Sequence, residues 1–340
     1  MKAKNITGQA PGGKRIRLAD TLPLDTPYVI QIFPVYACNF KCGYCIFSVK
    51  KEKRHFISDK ISMDLDIFKK CVDDMDRFPS KIKVLRFVGI GEPLLHKKIV
   101  KMIMYASQKQ VANTIEVLTN ASMLTNEMSD LLIAAGINRL VVSLQGTTAK
   151  KYYEVSKFKL DMDDFLKNLK YFYKNKGEAK VYIKIVDTAL DDSDDEKNFF
   201  DIFGNLCDTM AVEQTVPIHT GIDYDNLMKN KKLNLTQFGF PVKGVKICPQ
   251  PFFHMQINPD GKVVPCYSFE YPKILGDCNI DTLNDIWNGE TFKTFRLKML
   301  TGIENVCDIC MGCNMIKYRL FPEDDLIADS DRLIKIYMEG

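Results

Sequence analysis

The sequence predicts an α/β protein: an open, partial (β/α)6 barrel followed by a small α+β domain built around cysteines. Between about residue 28 and about residue 215, short β-rich runs alternate with longer helical patterns, the signature of consecutive βα units around a parallel sheet. The runs are six, too few to close an ordinary eight-stranded TIM barrel. The eleven cysteines fall mainly in two groups, three at 38, 42 and 45 and six between 248 and 313, so a second cysteine-rich unit follows the barrel.

The predicted strands are Tyr28–Val35, Lys83–Gly89, Thr114–Thr119, Arg139–Leu144, Val181–Val186 and Met210–Glu213. The first helix carries Leu65, Phe68, Val72 and Met75 as one apolar stripe, with Ser62 placed to cap it and Asp64 and Asp66 suited to its positive end. Cys71 continues that stripe as ordinary core. A later helix near Glu127–Ala135 meets Gly136, which can terminate it. Residues 1–27 form an N-terminal extension, 28–222 the barrel, and 223–246 a polar, Lys- and Asn-rich connector. The second domain spans 247–325. There Phe252–Ile257 and Lys262–Cys266 flank the turn Asn258-Pro259-Asp260-Gly261 and read as a hairpin that brings Cys248 towards Cys266. Short helices are expected near Asp281–Trp287 and Thr291–Met299, and a C-terminal helix within 326–340 packs back on the body.

The 47 basic and 43 acidic residues give a net charge of +4 and are interspersed, with no basic stripe of the kind nucleic-acid binding needs. The N-terminus lacks the apolar core of a signal peptide and no run approaches the length of a membrane span, so a cytoplasmic protein is expected. In that reducing compartment the cysteines point to metal or cluster ligation rather than disulfides.

Cys38-Asn-Phe-Lys-Cys42-Gly-Tyr-Cys45 puts three thiols on one tight loop directly after the first strand. Three soft ligands suit a [4Fe–4S] cluster whose fourth iron has no protein ligand. A zinc knuckle is the competing reading, but structural zinc requires four ligands, and no His or further Cys follows until Cys71 apart from His55. His55, His96 and His254 have no partners in the sequence that single them out.

This CX3CX2C loop after the first strand of a βα series resembles the hallmark of the radical S-adenosylmethionine (SAM) superfamily. The resemblance extends to Gly89-Ile90-Gly91-Glu92-Pro93, similar to the family's GGEP segment despite Ile90. It implies that Tyr44 lies beside the adenine and that Gly89, Gly91, Glu92 and Pro93 hold the methionine amino group. It further implies that Asn120, Ser143 and Gln145, at the ends of the third and fourth strands, lie near the SAM carboxylate and ribose. The family reaction is implied with it: SAM chelates the open iron and is reductively cleaved, and the 5′-deoxyadenosyl radical abstracts a substrate hydrogen. Its electron would come from a flavodoxin- or ferredoxin-type donor.

Cys248, Gly261 and Cys266, followed by Cys307-x2-Cys310-x2-Cys313, resemble the SPASM/twitch extensions of the same superfamily, which carry auxiliary clusters. No cysteine follows Cys313, so the twitch form with one auxiliary [4Fe–4S] cluster is expected. Its ligands are assigned to Cys248, Cys266, Cys307 and Cys310, with Cys313 as competitor; a four-cysteine zinc site is the alternative. Cys278 fits no ligand position. His219, in Val216-Pro-Ile-His-Thr-Gly221 after the sixth strand, is the candidate substrate-contacting residue.

The resemblance implies oxidation or epimerisation of a carbohydrate or aminocyclitol carbinol, hence a small polar metabolite as substrate. A second reading is modification of a ribosomal peptide or protein side chain. The third is a non-catalytic iron–sulfur carrier or zinc module, against which the open three-cysteine site and the Gly-Glu-Pro segment both count.

Overall fold

The computed structural model describes residues 3–54, 56, 58–219, 221–229, 232–267 and 271–339; His55 and Thr220 lie outside them. Among the described residues ten strands form one sheet: β1 (Lys4–Asn5), β2 (Val29–Ile32), β3 (Ile82–Phe87), β4 (Ala112–Thr119), β5 (Arg139–Leu144), β6 (Lys180–Val186), β7 (Thr209–Glu213), β8 (His254–Ile257), β9 (Lys262–Val264) and β10 (Gly276–Asp277). Their spatial order is β1-β7-β6-β5-β4-β3-β2-β8-β9-β10. From β2 to β7 neighbours in space are neighbours in sequence and all pairs are parallel, which is the singly wound order of a partial barrel.

Alternation along the strands separates two faces. Leu85, Phe87, Ile115, Val117, Leu140, Val142, Ile183 and Ile185 pack with helix residues such as Phe68, Met102, Leu132, Phe165 and Phe199 in the main core. The other face carries Arg86, Glu116, Arg139, Ser143 and Lys184, together with a small apolar cluster of Val141, Tyr182 and Ala211. Glu116 bridges Arg86 at 2.5 Å and Arg139 at 2.8 Å across register, and those cations hold its buried carboxyl below the usual carboxylate range against the opposing effect of burial.

The six predicted barrel strands are all present. The hairpin is present as β8–β9, but β8 also pairs parallel with β2, so it continues the barrel sheet. At the opposite edge β1, inside the N-terminal extension, pairs with β7. The first helix, Leu65–Met75, begins after Asp64, and Ser62 instead bridges Val35, so Ser62 is not its cap. Gly136 does end its helix, at φ 87°. The segment 223–246 is no free tether: Tyr224, Met228, Thr236 and Gln237 are buried. Cys71 and Cys278 meet in the core with their Sγ atoms 3.2 Å apart, joining the first helix to the C-terminal region. The C-terminal helix Ser330–Glu339 packs through Tyr337 on Phe252.

Candidate functional site

The loop after β2 is held from below. Phe40 is buried against Phe158 and Tyr152, with ring centroids 4.8 and 6.3 Å away, while Lys41 N and Gly43 N donate to the carbonyls of Ser156 and Val155 at 2.8 and 3.1 Å. The variable positions of the motif thereby fix the positions of Cys38, Cys42 and Cys45. Burial pushes the Cys38 thiol up to about 12 and Cys42 well above its ordinary value, and each is raised further by the charge that Cys45 would carry. Three thiols crowded in a partly buried pocket repel one another as thiolates; a cationic iron cluster removes that repulsion, so the donor set fits the implied group.

The Gly-Ile-Gly-Glu-Pro turn crosses directly over the approach to this loop. Gly91 has φ 150°, and a Cβ there would stand 2.2 Å from Val35 O and 2.8 Å from Ala37 O. Glu92 N donates to Ala37 O at 2.8 Å. The Glu92 carboxylate is buried and accepts from Thr119 Oγ1 at 2.6 Å and Leu94 N at 3.0 Å on one oxygen, and from Asn120 N at 2.7 Å on the other. Burial pushes its pKa up to about 6 while these bonds pull it down. A carboxylate has about four acceptor positions, so the oxygen bonded to Asn120 can accept from a further donor.

Asn120 is brought to the cysteine loop rather than left at the rim: its Nδ2 donates to Asn39 Oδ1 at 3.0 Å and lies 4.0 Å from Cys38 Sγ. Tyr44 donates its hydroxyl to Gln145 Oε1, and Tyr44 O accepts from Tyr224 at 3.0 Å, so Gln145 acts on the position through the tyrosine. Ser143 sits in register with Lys184. Lys184 pairs with Glu213 at 2.8 Å, and Glu213 also accepts from Gln237 at 2.7 Å. Sequence reading missed this charged set. The signal was a lysine inside Val181-Tyr-Ile-Lys-Ile-Val186, where only an inward-facing, paired cation is tolerated.

The second cysteine set closes around a separate cavity. Cys248, Cys266, Cys310 and Cys313 line it with Gln250, Tyr267 and Met299. Cys307 is not among the lining residues; it lies against Cys310, whose thiol is raised by burial and then by Cys307. Burial and the neighbouring Cys266, Cys313 and Cys310 raise Cys248 in the same way, so this donor set also suits a cationic cluster. No three His, Cys, Asp or Glu side chains among the described residues converge on a single-ion position.

Cys313 reaches a second space. A cleft of about 560 Å3 is bounded by Ile46 and Arg54 just after the first cysteine loop, by Pro217–His219 and Tyr224, and by Asp308 and Cys313. His219 is neutral there: burial, then the positive charge of Arg319, pushes it down to about 3. His96 is structural, since its Nδ1 accepts from Lys98 N at 3.2 Å, which leaves Nε2 to donate to Met63 O at 2.9 Å.

The family model of the radical SAM superfamily matches residues 32–197, and that of an iron–sulfur cluster-binding domain, SPASM, matches 248–314. A tungsten-containing aldehyde ferredoxin oxidoreductase cofactor-modifying protein from Pyrococcus furiosus is 26% identical over 82% of this chain and 87% of its own. The S-adenosyl-L-methionine-dependent 2-deoxy-scyllo-inosamine dehydrogenase of Niallia circulans is 22% identical over 85% and 94%. Among solved structures, Streptococcus suis SuiB bound to S-adenosylmethionine superposes with TM-score 0.63 at 18% identity, over 88% of this chain and 74% of that one. These two domains imply a SAM-binding [4Fe–4S] cluster and an auxiliary cluster. A three-thiol loop under a Gly-Glu-Pro turn, on a singly wound parallel sheet and matched by both family models, makes this chain a member of the radical SAM superfamily with a C-terminal SPASM-type domain.

Proposed function

We propose that this enzyme oxidises a carbinol of a small polar metabolite, a carbohydrate or aminocyclitol, in the cleft between its two cysteine pockets. Cys38, Cys42 and Cys45 hold the SAM-binding cluster; Tyr44 faces the adenine, the Gly89–Pro93 turn and Glu92 hold the methionine ammonium, and Asn120, Ser143 and Gln145 order the surrounding strand ends. When bound, the SAM-binding cluster supplies the electron that cleaves SAM to methionine and a 5′-deoxyadenosyl radical. The cleft holds the substrate C–H towards that radical, which takes the hydrogen atom. The hydroxyl proton leaves to water through the cleft, whose wall includes His219. A cluster held by the second cysteine set would supply the acceptor for the one electron that remains on the substrate once its hydroxyl proton has left, and a one-electron carrier of the flavodoxin or ferredoxin type would then take that electron, leaving the ketone.

The observation that carries this reading is Cys313, which lines both the auxiliary cavity and the substrate cleft. A hydrogen-atom abstraction alone needs one cluster at the substrate; a two-electron oxidation needs an acceptor as well. For that reason the cavity favours Cys248, Cys266, Cys310 and Cys313 as ligands, with Cys307 behind Cys310. The relationship to the inosamine dehydrogenase supports the substrate class.

The reconstituted protein should bind about eight irons, and a Cys310→Ala, Cys313→Ala variant about four. With aminocyclitols and sugars deuterated at the carbinol carbon, the variant should still place deuterium in 5′-deoxyadenosine while ketone formation collapses. Undiminished ketone from a variant proven to lack the second cluster would remove the acceptor role. Solvent hydrogen at the reacted carbon of an unoxidised product would show epimerisation, and deuterium transfer from peptides alone would replace the metabolite reading.

A further inference from the structure

One arginine stands beside residues that line both the cleft and the auxiliary cavity. Arg319 follows the short helix Asn314–Lys317, which starts at Cys313. Its Nε donates to Gln237 Oε1 at 2.5 Å, and Gln237 in turn donates to Glu213, a carboxylate already neutralised by Lys184. Among the described residues no carboxylate lies within ion-pair distance of Arg319, whereas the inward-facing Arg86, Arg139 and Lys184 each have one. The guanidinium carbon stands 5.3 Å from the centroid of the Tyr267 ring. Tyr267 follows Cys266, takes a hydrogen bond from Gln250 at 3.2 Å, and lines the cavity together with Gln250 and four cysteines. On the other side the same charge acts on His219 and Tyr224, both in the cleft wall.

A half-buried arginine held in place by a neutral amide, with no carboxylate paired to it among the described residues, presents an uncancelled positive charge to its surroundings. Beside an iron–sulfur cluster such a charge stabilises the reduced, more negative state, so it raises the reduction potential. We propose that Arg319 is a positioning residue that sets the potential of the auxiliary cluster, making that cluster the electron acceptor while leaving the SAM-binding cluster low. This rests on the reading of the second cavity as an iron–sulfur site. The step adds one electron to the auxiliary cluster and removes one from the substrate radical, whose hydroxyl proton goes to water. Gln237 fixes the geometry because its amide ties the guanidinium to the end of β7.

The test is an EPR-monitored potentiometric titration of anaerobically reconstituted wild type, Arg319→Gln and Arg319→Lys. Arg319→Gln should move the auxiliary midpoint to a more negative potential at unchanged iron content and leave the first cluster where it was. Arg319→Lys, which keeps the charge, should stay close to wild type. An unchanged auxiliary midpoint in Arg319→Gln overturns the proposal, as does a shift in Arg319→Lys equal to that of a neutral substitution. If Arg319→Gln does not fold, Arg319→Met and Arg319→Lys make the same comparison of charge at similar length. Unmoved midpoints with a raised KM would reassign Arg319 to an anionic group of the substrate. Wild type with only four irons would instead remove the cavity reading itself, which the iron assay separates from the role of Arg319.

Discussion

Glu92 joins the turn after β3 to the end of β4, because its two oxygens take donors from the turn at Leu94 and from the strand end at Thr119 and Asn120. In Glu92→Gln one oxygen becomes an NH2 group that faces either the Asn120 N–H or the Thr119 and Leu94 donors, leaving donor against donor at a cost of about 1–3 kcal/mol. We expect SAM affinity, measured by equilibrium dialysis under anaerobic conditions, to fall at least about tenfold through loss of the charge-assisted contact. Iron content should be unchanged. The carboxyl also has a stability signature. Its pKa is raised from 4.5 to about 6 in the folded apo-protein. Between those values the folded state holds a proton that the unfolded chain has released, so stability declines as pH rises, by roughly 2 kcal/mol for this group. Urea unfolding of the apo-protein at pH 4.5 and pH 7 should show this decline reduced by that amount in Glu92→Gln. An identical pH response in both proteins would mean that Glu92 does not titrate in this window.

Two glycines near the first cysteine loop, Gly43 and Gly91, differ because of the elements around them. Gly43 lies inside the cysteine motif, yet a Cβ there meets only Leu227 Cδ2 at 3.7 Å, an ordinary contact. Gly91 lies where the turn after β3 presses on the backbone leaving β2, and a Cβ would overlap two carbonyl oxygens at a φ that L-residues avoid. Gly43→Ala should therefore shift stability by less than about 0.5 kcal/mol, while Gly91→Ala should lose roughly 2–5 kcal/mol from overpacking and backbone strain together. Thermal unfolding of the apo-proteins checks both, and comparable losses would contradict the contrast. Much of this level was legible in the sequence. The six β-rich runs became β2 to β7 because buried parallel strands are apolar runs, and the cysteine loop and Gly-Glu-Pro turn are local spacings. β1 and β10 are two-residue strands with no periodicity to read. Cys307-x2-Cys310 and Cys310-x2-Cys313 have the same spacing, so the sequence does not choose between Cys307 and Cys313. The Lys184–Glu213–Gln237–Arg319 chain was hidden because its members come from two strands, a polar segment and the C-terminal region, and meet only in the folded barrel.

The whole molecule is organised by the need to cover the two edges of an unclosed barrel. Unpaired edge strands invite pairing with other chains. Here β7 is covered by β1 from the N-terminal extension, and β2 by β8 from the region that carries the auxiliary cysteines. Further ties cross the same boundaries: Arg15 pairs with Asp324 at 2.5 Å, Trp287 Nε1 donates to Leu24 O at 2.8 Å, and the Cys71 and Cys278 thiols touch. The matched domains at 32–197 and 248–314 therefore share one sheet, and the second serves as the edge cover of the first. A chain ending at Lys246 would uncover the edge of β2 that pairs with β8, in a strand whose Ile30 and Ile32 are fully buried. We expect that truncation to aggregate or to form β2-edge oligomers on anaerobic size-exclusion chromatography, even though it retains Cys38, Cys42, Cys45 and Glu92. A soluble monomer that binds about four irons and cleaves SAM would show instead that the barrel folds alone and that β8 is dispensable to it. The full-length Cys310→Ala, Cys313→Ala protein is the matching control: it removes the second donor set but leaves β8 in place, so it should stay monomeric and keep SAM cleavage.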